Sequence, residues 1–216
     1  MVAIANKPLS ADDWAVACKH LARKDRVLRR LIPDYAGQLL SRDADGFALL
    51  VRSIVWQQLS LASAQQLWKR YLALPGACTA KGLLATSDEA LAAIRLPQRK
   101  ISYLKDLAHW FAQSPKDALS WVGESDDAVA EQLLALRGLG RWNVEMFLIF
   151  HLGRPNVLPI DDAALQAGIS EHYFSGDPVS RSDVREVAQA WQPWSSVGAW
   201  LIWRSQNAMP MALNTD

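Results

Sequence analysis

Gly138-Leu139-Gly140-Arg141-Trp142-Asn143 lies between two segments of helical periodicity. Glycines permit a tight turn and close approach of another molecule to the backbone. The helix that follows opens with amide N–H groups that no intrahelical carbonyl takes, and its dipole adds partial positive charge there. A phosphate oxygen suits such a place. This is the pattern of a helix–hairpin–helix, a sequence-independent anchor on a nucleic-acid backbone. The same residues also fit a plain helical hairpin. Downstream, Pro155 and Pro159 fix an extended connection, and Asp161-Asp162 fall where a new helix begins with Ala163-Ala164-Leu165. By residue type alone, one aspartate is an N-cap and the other compensates the charge of the first turn. The chain also holds ten tryptophans. Trp121, Trp142, Trp191, Trp194, Trp200 and Trp203 lie in its last half, and most of the ten must be ordinary core residues.

The elements that carry these residues read as helical nearly throughout. Ser10 with Asp13 is a capping-box variant that opens a helix with Trp14, Ala17, Leu21 and Leu28 on one face, closed by Pro33. Phe47, Leu50, Val51, Ile54 and Val55 form a stripe of helical spacing. Ser60 caps a helix carrying Ala64, Leu67 and Tyr71, stopped at Pro75-Gly76. Ser87-Asp88-Glu89 opens a short helix. Lys100 to Phe111 carries Leu104, Leu107, Ala108 and Phe111 on one side, and Ser125-Asp126-Asp127 opens a helix running to about Leu136. No stretch alternates as a strand would. The reading is an all-α chain of short helices, one helical unit over 1–216 with the hairpin at about 126–152. Two lobes are expected, with the chain's ends packing together, and no linker separates them.

Composition narrows the class. Of 216 residues, 50% are hydrophobic and 21% charged, a globular balance that excludes a disordered or collagen-like chain. A chain of this size buries roughly 70% of its extended surface and needs no staple. Cys18 and Cys78 are the only cysteines, which excludes a disulfide framework and a four-cysteine zinc or iron–sulfur site. The apolar stretch Val2 to Ala5 is too short for a signal peptide, and no later run has membrane-spanning length. A soluble, intracellular protein is expected. Net charge is +1, so clustering decides what the charge does. Lys19, Arg23, Lys24, Arg26, Arg29 and Arg30, interrupted by Asp25, form one basic run. It reads as a solvated helix face, with phosphate contacts as the alternative.

The hairpin, the Pro-x-Asp-Asp loop and Trp191-Gln192-Pro193-Trp194 together resemble the helix–hairpin–helix DNA glycosylases, specifically the DNA-3-methyladenine glycosylase II (AlkA-like) branch. Phe47 to Ser60, with Ile54-Val55-Trp56-Gln57-Gln58-Leu59-Ser60, and Arg99 to Leu104 are similar too, so the resemblance runs from about 45 to 205. It implies the two-lobed helical glycosylase fold, without the N-terminal β-domain of some relatives, for which the chain is too short. Asp162 falls on the family's essential aspartate and Asp161 on its neighbour, read as a cap or loop-shaping residue. Trp203 and Trp142 fall on aromatics of the base pocket, and Met146 where an aromatic often completes it. Gln57 and Gln58 fall where members push a side chain into the gap left by an extruded nucleotide. Gly138, Gly140 and Arg141 fall on the turn that anchors the DNA backbone. Asn143 replaces the family's usual Thr, Trp56 a small residue, and Ser195 a common Arg, departures that bear on pocket shape and base preference.

The implied chemistry is hydrolysis of an N-glycosidic bond. An alkylated purine such as 3-methyladenine is cationic on its sugar, so its departure needs no strong acid. Positive charge develops on the sugar ring, as in glycoside hydrolysis, and one fixed carboxylate stabilises it. That carboxylate also orients or deprotonates the attacking water. The base must first be flipped out of the stack. A cationic ring over Trp gains roughly 0.5–2 kcal/mol that a neutral base does not. Relatives that also cut the strand carry a Schiff-base Lys at the position held here by Trp142. Arg141 cannot substitute, since guanidinium stays protonated. The resemblance therefore implies a monofunctional, monomeric, cytoplasmic enzyme acting on double-stranded DNA, with no resident metal or cofactor beyond a monovalent cation at the hairpin by analogy. Two alternatives stay open: a non-enzymatic helix–hairpin–helix DNA-binding module, and a glycosylase for other damaged bases.

Overall fold

The computed structural model describes residues 7–113, 121 and 123–211; Val2 to Ala5, read above for a signal, lie outside them. In chain order the helices are α1 (Ala11–Lys24), α2 (Arg26–Leu31), α3 (Gly46–Trp56), α4 (Leu61–Leu72), α5 (Ala80–Ala85), α6 (Asp88–Ala93), α7 (Gln98–Gln113), α8 (Asp126–Leu134), α9 (Arg141–Phe150), α10 (Ala163–Tyr173), α11 (Arg181–Gln189) and α12 (Ser195–Ser205). Among the described residues there is no strand, as the all-α reading requires. Nor is any helix long and apolar enough to cross a membrane.

Short polar side chains explain where the helices start. Ser10, Ser60, Ser87 and Ser125 each accept an amide N–H of the first turn, at the positions expected from sequence. Thr79 does the same for α5, a helix the periodicity did not reveal because it is only six residues long. The helix expected to run from Ser10 to Pro33 is broken at Asp25. That carboxylate takes the amides of Val27 and Leu28 through Oδ1, so it ends α1 and caps α2. A buried carboxylate with two amide donors outweighs the apolar spacing that runs on to Leu28.

The chain divides into two compact units. Among the described residues, one combines Lys7–Arg42 with Leu148–Met211, and the other lies within Asp43–Phe147; the chain passes from the second to the first within α9. In the terminal unit Trp200 of α12 meets Trp14 edge-on at 5.0 Å between ring centres, and Tyr35 at 6.0 Å. Asp25 is buried there, and its Oδ2 accepts from the Tyr173 hydroxyl (2.6 Å) and from Trp191 Nε1 (2.9 Å). Burial, then the Asp25 carboxylate, pushes the Tyr173 hydroxyl well above the usual phenol range. Gly168 lets α10 lie against α12, since a Cβ there would stand 2.4 Å from Ile202 Cγ2.

In the middle unit α3 and α7 supply the core, with Leu49, Leu50, Ile54, Ile101 and Leu104 fully buried. Phe47 and Phe111 pack edge to face at 5.2 Å. Helix α7 also presents two lysines that close other helices. Lys105 donates to the Leu83 carbonyl (2.9 Å) and to Thr86 O at the end of α5. Lys100 donates to Val55 O (2.8 Å) and Gln57 O (2.7 Å) at the end of α3. Cations belong at helix C-termini, where carbonyls lack partners.

Candidate functional site

The terminal unit holds Asp162. Its backbone N–H donates to Pro159 O at 3.0 Å, which closes the Pro-x-Asp-Asp turn. Its side chain is the N-cap of α10: Oδ1 accepts the Leu165 amide at 2.7 Å. The same oxygen accepts Trp203 Nε1 at 2.9 Å, so an indole on α12 holds the carboxylate from a second direction. Asp162 is only 5% exposed. Trp203 is wholly buried and stacks on Phe150 at 5.8 Å with 24° between planes. The Trp203 ring has no face on solvent. Asp161 is not the cap. It is exposed and forms a two-pronged ion pair with Arg181, Nε to Oδ1 and Nη2 to Oδ2 both at 2.9 Å. The resemblance read Asp161 as a cap or loop-shaping residue; the structure corrects the cap reading, since Asp162 takes the Leu165 amide and Asp161 is held outside by Arg181.

A second seam fixes the start of α12. Ser196 Oγ donates to Arg154 O (2.6 Å) and accepts the Val157 amide (3.0 Å), while the Ser196 amide donates to Pro155 O (3.0 Å). Ser195 Oγ donates to Asn156 Oδ1 at 2.7 Å. The segment leading to Asp162 and the helix bearing Trp203 are thus tied at both ends. The Ser195 side chain serves this seam and is buried.

The middle unit holds the hairpin. Helices α8 and α9 flank Gly138-Leu139-Gly140, as expected from the sequence. Its two glycines are needed for different reasons. Gly138 has φ +88°, and a Cβ there would meet the Tyr103 ring at 2.3 Å. Gly140 is exposed, has no positive φ, and its Cβ would meet nothing nearer than Asn143 Oδ1 at 3.7 Å. The fold demands Gly138; Gly140 leaves backbone open. One expectation needs correction: the Gly140 amide is not an open donor, because Asn143 Oδ1 accepts it at 2.9 Å. The first rung of the α9 ladder is Val144 N–H to Gly140 O (3.2 Å), so the amides of the first turn precede it. Arg141 is exposed, and its Nε reaches Glu145 Oε1 at 3.0 Å. Trp142 is half-buried, and Met146 is wholly buried.

Gln57 and Gln58 behave differently. Gln57 turns its amide toward the hairpin, donating to Gly138 O at 2.7 Å and Asn143 Oδ1 at 3.2 Å. Gln58 is exposed in the left-handed region at φ +58°, and Leu59 beside it is 40% exposed. Lys100 was not singled out as a site residue. It stands four residues before Leu104 on the apolar face of α7, and a charge on that face was the available signal. Burial, then Arg99, lowers its ammonium's proton affinity. Among the described residues no group of three His, Cys, Asp or Glu side chains is placed to hold a metal.

A cap carboxylate clamped by an indole, and a glycine turn between two helices, mark a helix–hairpin–helix protein with a carboxylate fixed at a helix start. Residues 51–193 match the family described as HhH-GPD superfamily base excision DNA repair protein, and the chain belongs to that family. Among curated proteins it is 27% identical over 186 residues to "Putative DNA-3-methyladenine glycosylase YfjP" of Bacillus subtilis, covering 82% of this chain and 65% of that one, slightly under two thirds of the relative's length. A solved DNA-3-methyladenine glycosidase from Bacillus halodurans is 31% identical, with TM-score 0.74 and 88% of each chain covered. The fold also matches Schizosaccharomyces pombe 3-methyladenine DNA glycosylase in complex with abasic DNA, at TM-score 0.80 and 24% identity, over 89% of this chain and 97% of that one.

Proposed function

We propose that this protein is a DNA glycosylase of base excision repair that hydrolyses the N-glycosidic bond of extruded alkylated purines, 3-methyladenine among them, in duplex DNA. The observation that carries the reading is Asp162: a buried carboxylate at a helix N-terminus, with Oδ1 held by the Leu165 amide and the Trp203 indole. A charge so held needs no reorganisation when positive charge develops on a sugar ring. Breaking the bond returns the electron pair to the base, which leaves neutral. Water then adds to the sugar carbon, and its proton passes to the carboxylate or to solvent. Trp203, Trp142 and Met146 are proposed to meet the base, each to be tested by its own substitution. For Trp203 and Met146, both wholly buried, this requires the side chains that cover each to move when a base arrives. Gly138, Gly140 and Arg141 are proposed as phosphate contacts, with a monovalent cation on the hairpin carbonyls as part of the same proposal.

Two finer points belong to the proposal. Trp142 occupies the position of the strand-cutting lysine, so the product is an abasic site and the strand stays intact; borohydride trapping of the protein on an abasic duplex overturns this. The protein is also proposed to act as a monomer and in the cytoplasm. The decisive experiment is a panel of duplexes, each with one damaged base, scored for base release and binding. Wild type is expected to release alkylated purines, and Asp162→Asn to bind the same duplexes without releasing them. Binding by wild type with no release of any base makes the chain a DNA-binding module instead.

A further inference from the structure

Asn143 sits at the centre of a polar network confined to the middle unit. It is 3% exposed. Its Oδ1 accepts from Gly140 N–H (2.9 Å) and Gln57 Nε2 (3.2 Å), and its Nδ2 donates to Ser53 Oγ (2.9 Å). The Ser53 hydroxyl in turn donates to Leu50 O at 2.7 Å, which anchors the chain of bonds in α3. Gln57 adds a bond to Gly138 O at 2.7 Å, and Lys100 grips the Val55 and Gln57 carbonyls beneath it. Threonine could accept the Gly140 amide, but its single hydroxyl proton and shorter reach cannot also serve Ser53 while accepting from Gln57. The amide at 143 therefore joins two segments that backbone bonding leaves separate: the turn Gly138–Gly140 and the loop that begins at Gln57.

We propose that Asn143 and Gln57, seated on Lys100, form a polar strut that locks the hairpin turn to the Gln57–Leu59 loop, so that gripping a phosphate and opening the duplex are one event. On this account Gln57 is a positioning residue that never enters the duplex, and the groups offered outward from the loop are Gln58 and Leu59. The strut resists slippage because its side chains Asn143, Ser53 and Lys100 are buried, where an unmade bond leaves an unpaired polar group. The left-handed backbone of Gln58 is held between this strut and Arg99, whose Nη2 donates to Gln58 Oε1 at 3.3 Å.

The inference rests on the proposed function in taking turn and loop as DNA-contacting parts, so its test uses a signal that needs no chemistry. A duplex carries a stable abasic-site analogue beside a fluorescent purine whose emission rises when it unstacks. Gln57→Leu and Asn143→Thr are each expected to keep duplex affinity and its salt slope. Each is expected to reduce the fluorescence rise, and to lower kcat by about tenfold with KM nearly unchanged, as one lost hydrogen bond would. The double variant is expected to be no worse than the more affected single one, since both break the same strut. Lys100→Met should repeat the pattern and Lys100→Arg restore most of it, with thermal melting used to confirm that each variant folds. Full unstacking by folded Gln57→Leu, or independent multiplying effects in the double variant, overturns the strut. Normal unstacking by wild type with no base released from any substrate would leave the strut standing and sink the glycosylase reading; no unstacking by wild type sinks the strut.

Discussion

Asp162 and the Gly138–Gly140 turn are built in opposite ways. Around Asp162 the side chains are closed in: the carboxylate is 5% exposed, Trp203 is wholly buried, and the donors meeting Oδ1 come from α10 and α12. Around the turn the polar groups stand outward, with Gly140, Arg141 and Gln58 exposed. A charge that must stabilise a developing cation gains from a dry, rigid setting, because the interaction weakens in water. A surface that holds a phosphate backbone must leave donors accessible and accept any sequence. The two regions therefore differ in exposure: a carboxylate closed in by an amide and an indole in one, and in the other an exposed turn held from within by Asn143 and Gln57.

The comparison can be tested from its largest effect downward. Asp162→Asn keeps a good N-cap and removes only the charge. Base release is expected to fall at least about a hundredfold, with melting temperature little changed. A variant that melts much earlier would make Asp162 chiefly a structural cap. In the other region, Gly138→Ala should cost about 2–4 kcal/mol in a denaturant titration, from the left-handed backbone and the overlap with Tyr103. Gly140→Ala should leave stability nearly unaltered and weaken duplex binding instead; equal loss of stability in the two would erase the distinction drawn between them.

Smaller effects sharpen the picture. Trp203→Phe removes the indole donor while keeping a ring on Phe150, so about a tenfold loss of base release is expected with duplex affinity retained. Unchanged release would show that the Leu165 amide alone holds the carboxylate. Least of all, neutralising Arg29 and Arg30 together should lower the salt slope of duplex binding by about one unit. Both are exposed, but Arg29 already donates to Ala22 O at 2.6 Å, so Arg30 is expected to carry most of it. A slope that does not move leaves the basic run as a solvated helix face.

Much of this was legible in the residues themselves. Serine before an apolar run placed the starts of α1, α4, α6 and α8, because the cap bond is local and needs only three residues of context. Gly138-x-Gly140 marked the hairpin for the same reason. What failed was where a distant partner intervened. Asp25 broke an otherwise continuous helix because its carboxylate is also held by Tyr173 and Trp191, more than a hundred residues away.

The sequence alone determined which residue types lie at helix starts and turns, and hence that one of two adjacent aspartates would cap α10. Residue type did not say which one, and the resemblance pointed to Asp161. Tertiary packing decided that, by bringing Trp203 to Asp162 and Arg181 to Asp161. It likewise turned Gln57 toward Gly138 while leaving Gln58 outside, although the two are the same amino acid. A side chain's neighbours along the chain set its local conformation. Its role depends on which donors and acceptors arrive from elsewhere, and those are chosen only when the helices pack.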